Sequence, residues 1–62
     1  PMTKPELSRG DAVIVREPGR KEWHGEVVSI KPTKKAWWVE VRENGERVVW
    51  IVPPKYVERV SA

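Results

Sequence analysis

The chain has no cysteine and no phenylalanine, and a single histidine and a single aspartate, in 62 residues. Without cysteine, neither a disulfide nor a zinc–thiolate site can form. One histidine and one aspartate leave almost no material for a catalytic triad or a metal centre, so we predict no catalytic residues and no metal. No apolar run approaches the roughly 18 residues that a membrane-spanning helix needs, and we expect no membrane partner.

What the chain does have is charge and tryptophan. Twelve Lys and Arg against nine Asp and Glu give a net charge of +3, a mild basic bias that favours anionic partners such as nucleic acid. A chain of this length forms one domain, and each of its four tryptophans has on the order of 200 Å² to bury. The absence of cysteine fits a reducing compartment, and we predict a cytoplasmic location.

The residue pattern predicts an all-β domain of five short strands. Residues 1–9 hold two prolines without periodicity and are predicted to be a flexible segment, with the domain at 10–62. Pro53-Pro54 cannot continue a paired strand, so a tight or 3₁₀ turn is expected there. Five strands form a small closed or half-open barrel, because a flat sheet would leave exposed edges. The β-branched runs that predict the strands are 12–16, 23–30, 36–42, 47–52 and 57–60.

Asn44-Gly45 between two such runs predicts a two-residue type I′ hairpin. That turn sets Arg42 opposite Arg47 and Trp38 opposite Ile51. Residues that pair across strands share a face of the sheet. One face is then wholly apolar and is the predicted core face, with Trp37, Val39, Val41, Val48, Trp50 and Val52.

The opposite face of this hairpin carries Trp38, Val49 and Ile51 beside charged residues. An apolar patch rimmed by charge is typical of an interaction site, so these three, with Trp23 at the start of the second strand, are the predicted self-association or partner surface. The alternative is that a neighbouring strand, or the chain around Tyr56, covers Trp38.

Six residues are candidates for contact with nucleic acid or another anion: Arg42, Arg47, Lys31, Lys34, Lys35 and Trp38. Arg42 and Arg47, if they face each other, either hold a phosphate between them or are offset by neighbouring glutamates. The three lysines form a basic loop that contacts phosphate or only keeps the domain soluble. Trp38 would provide an aromatic platform for a base. His24 is interpreted as a surface residue.

The segments Gly10-Asp11-Ala12-Val13-Ile14-Val15-Arg16, Trp23-His24-Gly25 and Asn44-Gly45-Glu46-Arg47-Val48-Val49 resemble the C-terminal DNA-binding domain of retroviral and retrotransposon integrases. The resemblance spans roughly residues 9–60 and implies an SH3-like small barrel. It also implies contact with nucleic acid through basic loops and strand faces.

Trp23-x-Gly25-x-Val27-Val28 and Val49-Trp50-Ile51-Val52-Pro53 resemble segments of the plasmid type B dihydrofolate reductases, which are also SH3-like barrels. That family is a homotetramer with one active-site pore, so the resemblance implies self-association, with NADPH as the cofactor in that case alone. The chain departs from the family at Trp50 and Val52, where the family has its substrate-binding Gln and its Tyr. Reductase activity would therefore lack two of its hydrogen-bonding groups.

Two functions follow as hypotheses. The first is a non-enzymatic binding module that contacts nucleic acid, which needs no cofactor. The second is a self-associating, tetrameric barrel related to the type B reductases. A protein–protein adaptor stays open as a third class.

Overall fold

A computed structural model describes residues 3–60, and within that range it contains one antiparallel sheet of five strands and no α-helix. The prediction of an all-β fold with five strands is confirmed. The spatial order β4-β3-β2-β1-β5 makes β4 and β5 the two edges of the sheet. The strands are β1 (Ala12–Val15), β2 (Trp23–Pro32), β3 (Trp37–Glu43), β4 (Val49–Val52) and β5 (Val57–Arg59), with a 3₁₀ turn at Pro54–Tyr56.

The long strand β2 pairs with a neighbouring strand on each of its two sides. Its first residues, Trp23–Glu26, pair with β1, and its residues from Gly25 to Pro32 pair with β3. The register shifts between Val27 and Ser29, as at a β-bulge, which bends a strand and increases its twist. The sheet therefore curves, and we call its two sides the core face and the outer face.

Within residues 3–60, the hydrophobic side chains that are fully buried are all valines. Six valines from β1, β2, β3 and β4 form one cluster and are at most 1% exposed. Valine suits this place because its branched side chain is stiff and packs well on a pleated surface. The buried residues are Val13, Val15, Val27, Val39, Val41 and Val52, and the half-buried side chains packed against them are Leu7, Trp23, Ile30, Tyr56 and Val57.

The hairpin of β3 and β4 differs from the prediction by two residues. Arg42 lies opposite Val49, and the N–H of Glu43 donates to the carbonyl oxygen of Val48 at 3.3 Å. The loop thus spans residues 44–47. Gly45 has a φ of +79°, but Asn44 does not have a positive φ, whereas a type I′ turn needs a positive φ at both. The predicted turn type and register are therefore wrong.

The two-residue shift has a physical reason. In the predicted register Trp50 would face Val39, at the centre of the valine cluster, and a tryptophan there would overpack it. In the observed register Val52 takes that place opposite Val39. A shift of two keeps each side chain on its predicted face but moves it along the sheet. Trp50 and Val48 leave the core as a result and are 42% and 43% exposed.

The segment before β1 is attached to the sheet. Leu7 packs against the valine cluster, the N–H of Ser8 donates to Asp11 Oδ2 at 2.7 Å, and the N–H of Gly10 donates to the oxygen of Val27 at 2.8 Å. Residues 1–2 of the predicted flexible segment, and residues 61–62 of the predicted domain, lie outside the described residues. The boundary at residue 10 stays a prediction.

Candidate functional site

The outer face of β2, β3 and β4 carries most of the residues that the sequence singled out. Trp38 lies opposite Lys31 on β2, and Glu40 lies between Ser29 on β2 and Ile51 on β4. Ile51 is 63% exposed, whereas Trp38 is half-buried. Trp50 on the edge strand is 42% exposed, whereas the other three tryptophans are half-buried. Trp50, and not Trp38, is the tryptophan most open to solvent.

Trp38 borders a cavity of about 370 Å³ on this outer face. The cavity is lined by Lys31, Thr33, Trp38, Glu40 and Ile51. Its wall therefore combines one indole, one ammonium group and one carboxylate, and a flat ring entering it would lie beside both an aromatic side chain and a charge.

Glu40 is held in place from two sides. The hydroxyl of Ser29 donates to Oε1, and Lys31 Nζ lies 3.4 Å from Oε2. The Ser29 hydrogen bond, followed by the charge of Lys31, lowers the pKa of Glu40 below its usual range. The carboxylate therefore stays ionised at neutral pH and balances the charge of Lys31.

This lowered pKa makes a prediction about stability and pH. A carboxyl with a lowered pKa in the folded state stabilises it above the pKa of the unfolded chain, and that contribution is lost as the pH falls through the folded-state pKa. Glu40→Gln is expected to lower the melting temperature at pH 7. The difference in melting temperature from the wild type should shrink as the pH is lowered below 4.5, the ordinary pKa of this carboxyl group. Thermal unfolding followed by circular dichroism measures it.

Glu46→Gln is the matched control, because Glu46 lies in the exposed 44–47 loop and has no ion pair within residues 3–60. Its difference from the wild type should stay small at every pH. A Glu40→Gln deficit that persists unchanged at pH 3 would contradict the assignment.

Arg42 and Arg47 do not face each other. Arg42 lies opposite Val49, and its guanidinium NH2 is 3.2 Å from Glu26 Oε1. Arg47 lies in the four-residue loop instead of the strand. The predicted cross-strand arginine pair is therefore wrong, because the hairpin register on which it depended is shifted.

Lys34 and Lys35 sit at the tip of the loop between β2 and β3. Thr33 shapes this loop: its N–H donates to the oxygen of Ala36 at 2.7 Å, and its Oγ1 accepts from the N–H of Ala36 at 3.0 Å. Both lysines are exposed, and neither has an ion pair in the part of the chain that the structure describes. Their charge is available to a partner.

Trp37, on the other side of β3, borders a second cavity of about 600 Å³. Lys4 and Arg9 line this cavity beside Trp37 and Pro32. Sequence reasoning missed Lys4 and Arg9, since nothing in the local pattern shows that the N-terminal segment folds back against β2. The two cavities and the lysine loop form what we call the basic end: Lys4, Arg9, Lys31, Lys34 and Lys35, with Trp37 and Trp38.

The edge strand β4 and the residue before it form a second candidate surface. Val48, Val49, Trp50 and Ile51 are 42–63% exposed, and β4 has a hydrogen-bonded neighbour on one side only. We call Val48–Ile51 the β4 strip. Of the predicted partner surface, it contains Val49 and Ile51, while Trp23 is half-buried against the core.

Within residues 3–60 no group of three or more His, Cys, Asp or Glu side chains is placed to hold a metal ion. In the same range, no helix has the length and apolar character needed to cross a membrane. No protein-family model, curated protein sequence or solved structure matches the chain.

Proposed function

We propose that the chain is a small SH3-like binding module that contacts single-stranded nucleic acid through its basic end. A five-stranded sheet curved around a single core supports a small barrel of this kind. The observation that carries the function is the clustering of cations. Three of the twelve Lys and Arg of the chain, Lys4, Arg9 and Lys31, line the two cavities beside Trp37 and Trp38, and Lys34 and Lys35 are exposed in the loop just before these tryptophans. Among residues 3–60, Glu40 is the only carboxylate that lines the two cavities.

The chemistry of the basic end suits an unpaired strand better than a duplex. Each base that stacks on an aromatic side chain is worth about 1–3 kcal/mol, and bases offer their flat faces only when they are unpaired. Trp37 and Trp38 are consecutive on β3, so they point to opposite faces of the sheet. A strand that passes over the lysine loop between them would place a base on either side and its phosphates on Lys34 and Lys35.

A titration of labelled oligonucleotides, read by fluorescence anisotropy, tests this function. We expect binding of a single strand at tens of micromolar at low salt, with the matching duplex weaker. Three phosphate contacts on a single strand would reduce the affinity by about 20-fold between roughly 50 and 200 mM salt. No salt-dependent binding in this range would rule the proposal out.

Self-association through the β4 strip is the second candidate, and one observation favours it. An edge strand that is apolar and exposed is a template for pairing with another chain, and no residue of Val48–Ile51 is charged. Two copies paired antiparallel would meet without like charges opposite each other. This contact would be part of the assembly that the resemblance to type B reductases implies.

Sedimentation velocity over a range of concentrations checks the second candidate. Ile51→Lys places a charge on an exposed position of the edge strand and is expected to leave a monomer at all concentrations. Val60→Lys is the matched control, because Val60 is 40% exposed but lies outside the β4 strip, and it should associate like the wild type. A wild-type chain that stays monomeric at high concentration excludes the assembly and its NADPH-dependent activity.

A further inference from the structure

A third surface lies at the opposite end of β3 from the basic end. It is a cleft of about 470 Å³ between the β1–β2 loop and β4. Trp23 and Trp50 line it together with three carboxylates, Glu17, Glu22 and Glu43. Neither proposed function uses this cleft as a ligand site.

A cation already rests on the exposed indole in this cleft. The guanidinium carbon of Arg20 is 5.8 Å from the centre of the Trp50 ring. The Arg20 side chain is only weakly restrained, because it is 60% exposed and its guanidinium NH1 lies 4.0 Å from Glu17 Oε1. The Trp50 face therefore accepts a guanidinium that is free to leave it.

The charged groups around the Trp50 ring determine whether the cleft favours a positively or a negatively charged ligand. Glu22 is engaged by Arg16, but Glu43 has no ion pair within the described range 3–60. If Arg20 moves off the ring, Glu17 also loses its partner. The cleft then presents Glu17 and Glu43 against one ammonium group, that of Lys21, which also lines it. One negative charge is left in excess beside an aromatic face, which favours a cation over a phosphate.

We propose that this cleft binds an organic cation, the guanidinium or alkylated ammonium group of a partner's side chain, on the face of Trp50 in place of Arg20. The attraction is that of a ring quadrupole for a weakly hydrated cation. Arg20 is then a competitor built into the chain, and the partner displaces it. The proposal is independent of the nucleic-acid interface, which lies at the other end of β3.

The sign of one mutational effect separates this proposal from its alternatives. Arg20→Ala removes the competitor, so it should tighten the binding of an added cation. A cation on an exposed indole is held weakly enough that the expected gain is about three- to sixfold. If Arg20 instead helped to hold a ligand, its removal would weaken binding.

The probes are N-acetylarginine amide and tetramethylammonium, with N-acetylcitrulline amide as the neutral isostere. Binding is followed by the indole N–H resonance of Trp50, assigned with the Trp50→Leu variant, at a concentration where sedimentation gives one species. We expect both cations to shift this resonance and citrulline not to. In Trp50→Leu, whose fold is checked by circular dichroism, the resonances of the β1–β2 loop should no longer respond.

Three results would overturn the proposal. They are equal binding of citrulline and arginine, unchanged or weaker binding in Arg20→Ala, and a response of Trp50 to an oligonucleotide but not to the cations. The last result would assign the cleft to nucleobase stacking. Failure of the oligonucleotide titration, in contrast, would leave this proposal standing, because the only lining residue that the two sites share is Ile51, which neither proposal uses to bind its ligand.

Discussion

The double variant Lys34→Glu/Lys35→Glu is expected to bind a single-stranded oligonucleotide at least tenfold more weakly than the wild type at about 0.1 M salt. Each phosphate contact on a single strand contributes about 0.7 to the slope of log affinity against log salt concentration. Losing two contacts should thus reduce that slope by about 1.4. Anisotropy titrations at several salt concentrations measure both quantities.

The fold of this variant is not at risk from the substitutions themselves, because both lysines are exposed at the loop tip. Loop shape depends instead on Thr33, whose hydroxyl donates to the oxygen of Ala36 at 2.6 Å. A loss of affinity would therefore report a lost contact with the nucleic acid.

The matched control is Lys21→Glu/Lys55→Glu, which makes the same change in net charge outside the basic end. Both lysines are exposed. If this control weakened binding as much as the loop variant, the affinity would come from overall charge, and the basic end would not be the interface.

Gly25→Ala is expected to have the largest effect on stability. Gly25 is buried in β2, and a Cβ on it would come within 2.4 Å of the carbonyl oxygen of Arg42 and 2.6 Å of Val41 Cγ1. Inserting even one methyl group into so close an approach costs about 1–3 kcal/mol. In a domain of this size each kcal/mol lowers the melting temperature by about 4–8 °C. Thermal unfolding followed by far-ultraviolet circular dichroism measures the change.

Gly45→Asn is the contrasting variant, because a Cβ at Gly45 would meet no atom within 4 Å. Asparagine tolerates a positive φ better than most residues, so we expect a change of less than about 1 kcal/mol. An unchanged melting temperature in Gly25→Ala would contradict the close approach of β2 and β3.

The positions of the strands were predictable because they depend on local chemistry. The β-branched run at 12–16 and the prolines after Val52 mark the limits of elements without reference to the rest of the fold. The predicted strand at 23–30 also falls on β2, which runs on to Pro32. The alternation of β3 and β4 gave the correct face for each of their residues, since that assignment depends only on whether the register is odd or even.

The register of the hairpin was not predictable in the same way. Asn44-Gly45 favours a two-residue turn locally, but the valine core has room for Val52 and not for Trp50 opposite Val39. That is a property of the packed sheet. The shift also separates Arg42 from Arg47, and Arg42 forms its ion pair with Glu26 on β2 instead. The hairpin pattern alone does not predict that β2 lies next to β3.

The basic end was predictable only in part. Lys31, Lys34 and Lys35 are close in sequence, and their clustering needs no tertiary information. Lys4 and Arg9 join them because Leu7 packs on the valine cluster, which is a contact between distant parts of the chain. The cleft at Trp50 was missed because it also depends on a contact between distant parts of the chain. Its walls come from the β1–β2 loop and from β4.

The two edges of the sheet differ in charge. The β5 edge carries Glu58 and Arg59, which are paired with Arg16 and Asp11 of neighbouring segments, while the β4 strip has no charge. If the β4 strip pairs with a second copy as proposed, the contact can form around a two-fold axis, and the charged β5 edge disfavours the addition of further copies end to end. A tetramer would then need a sheet face as its second contact.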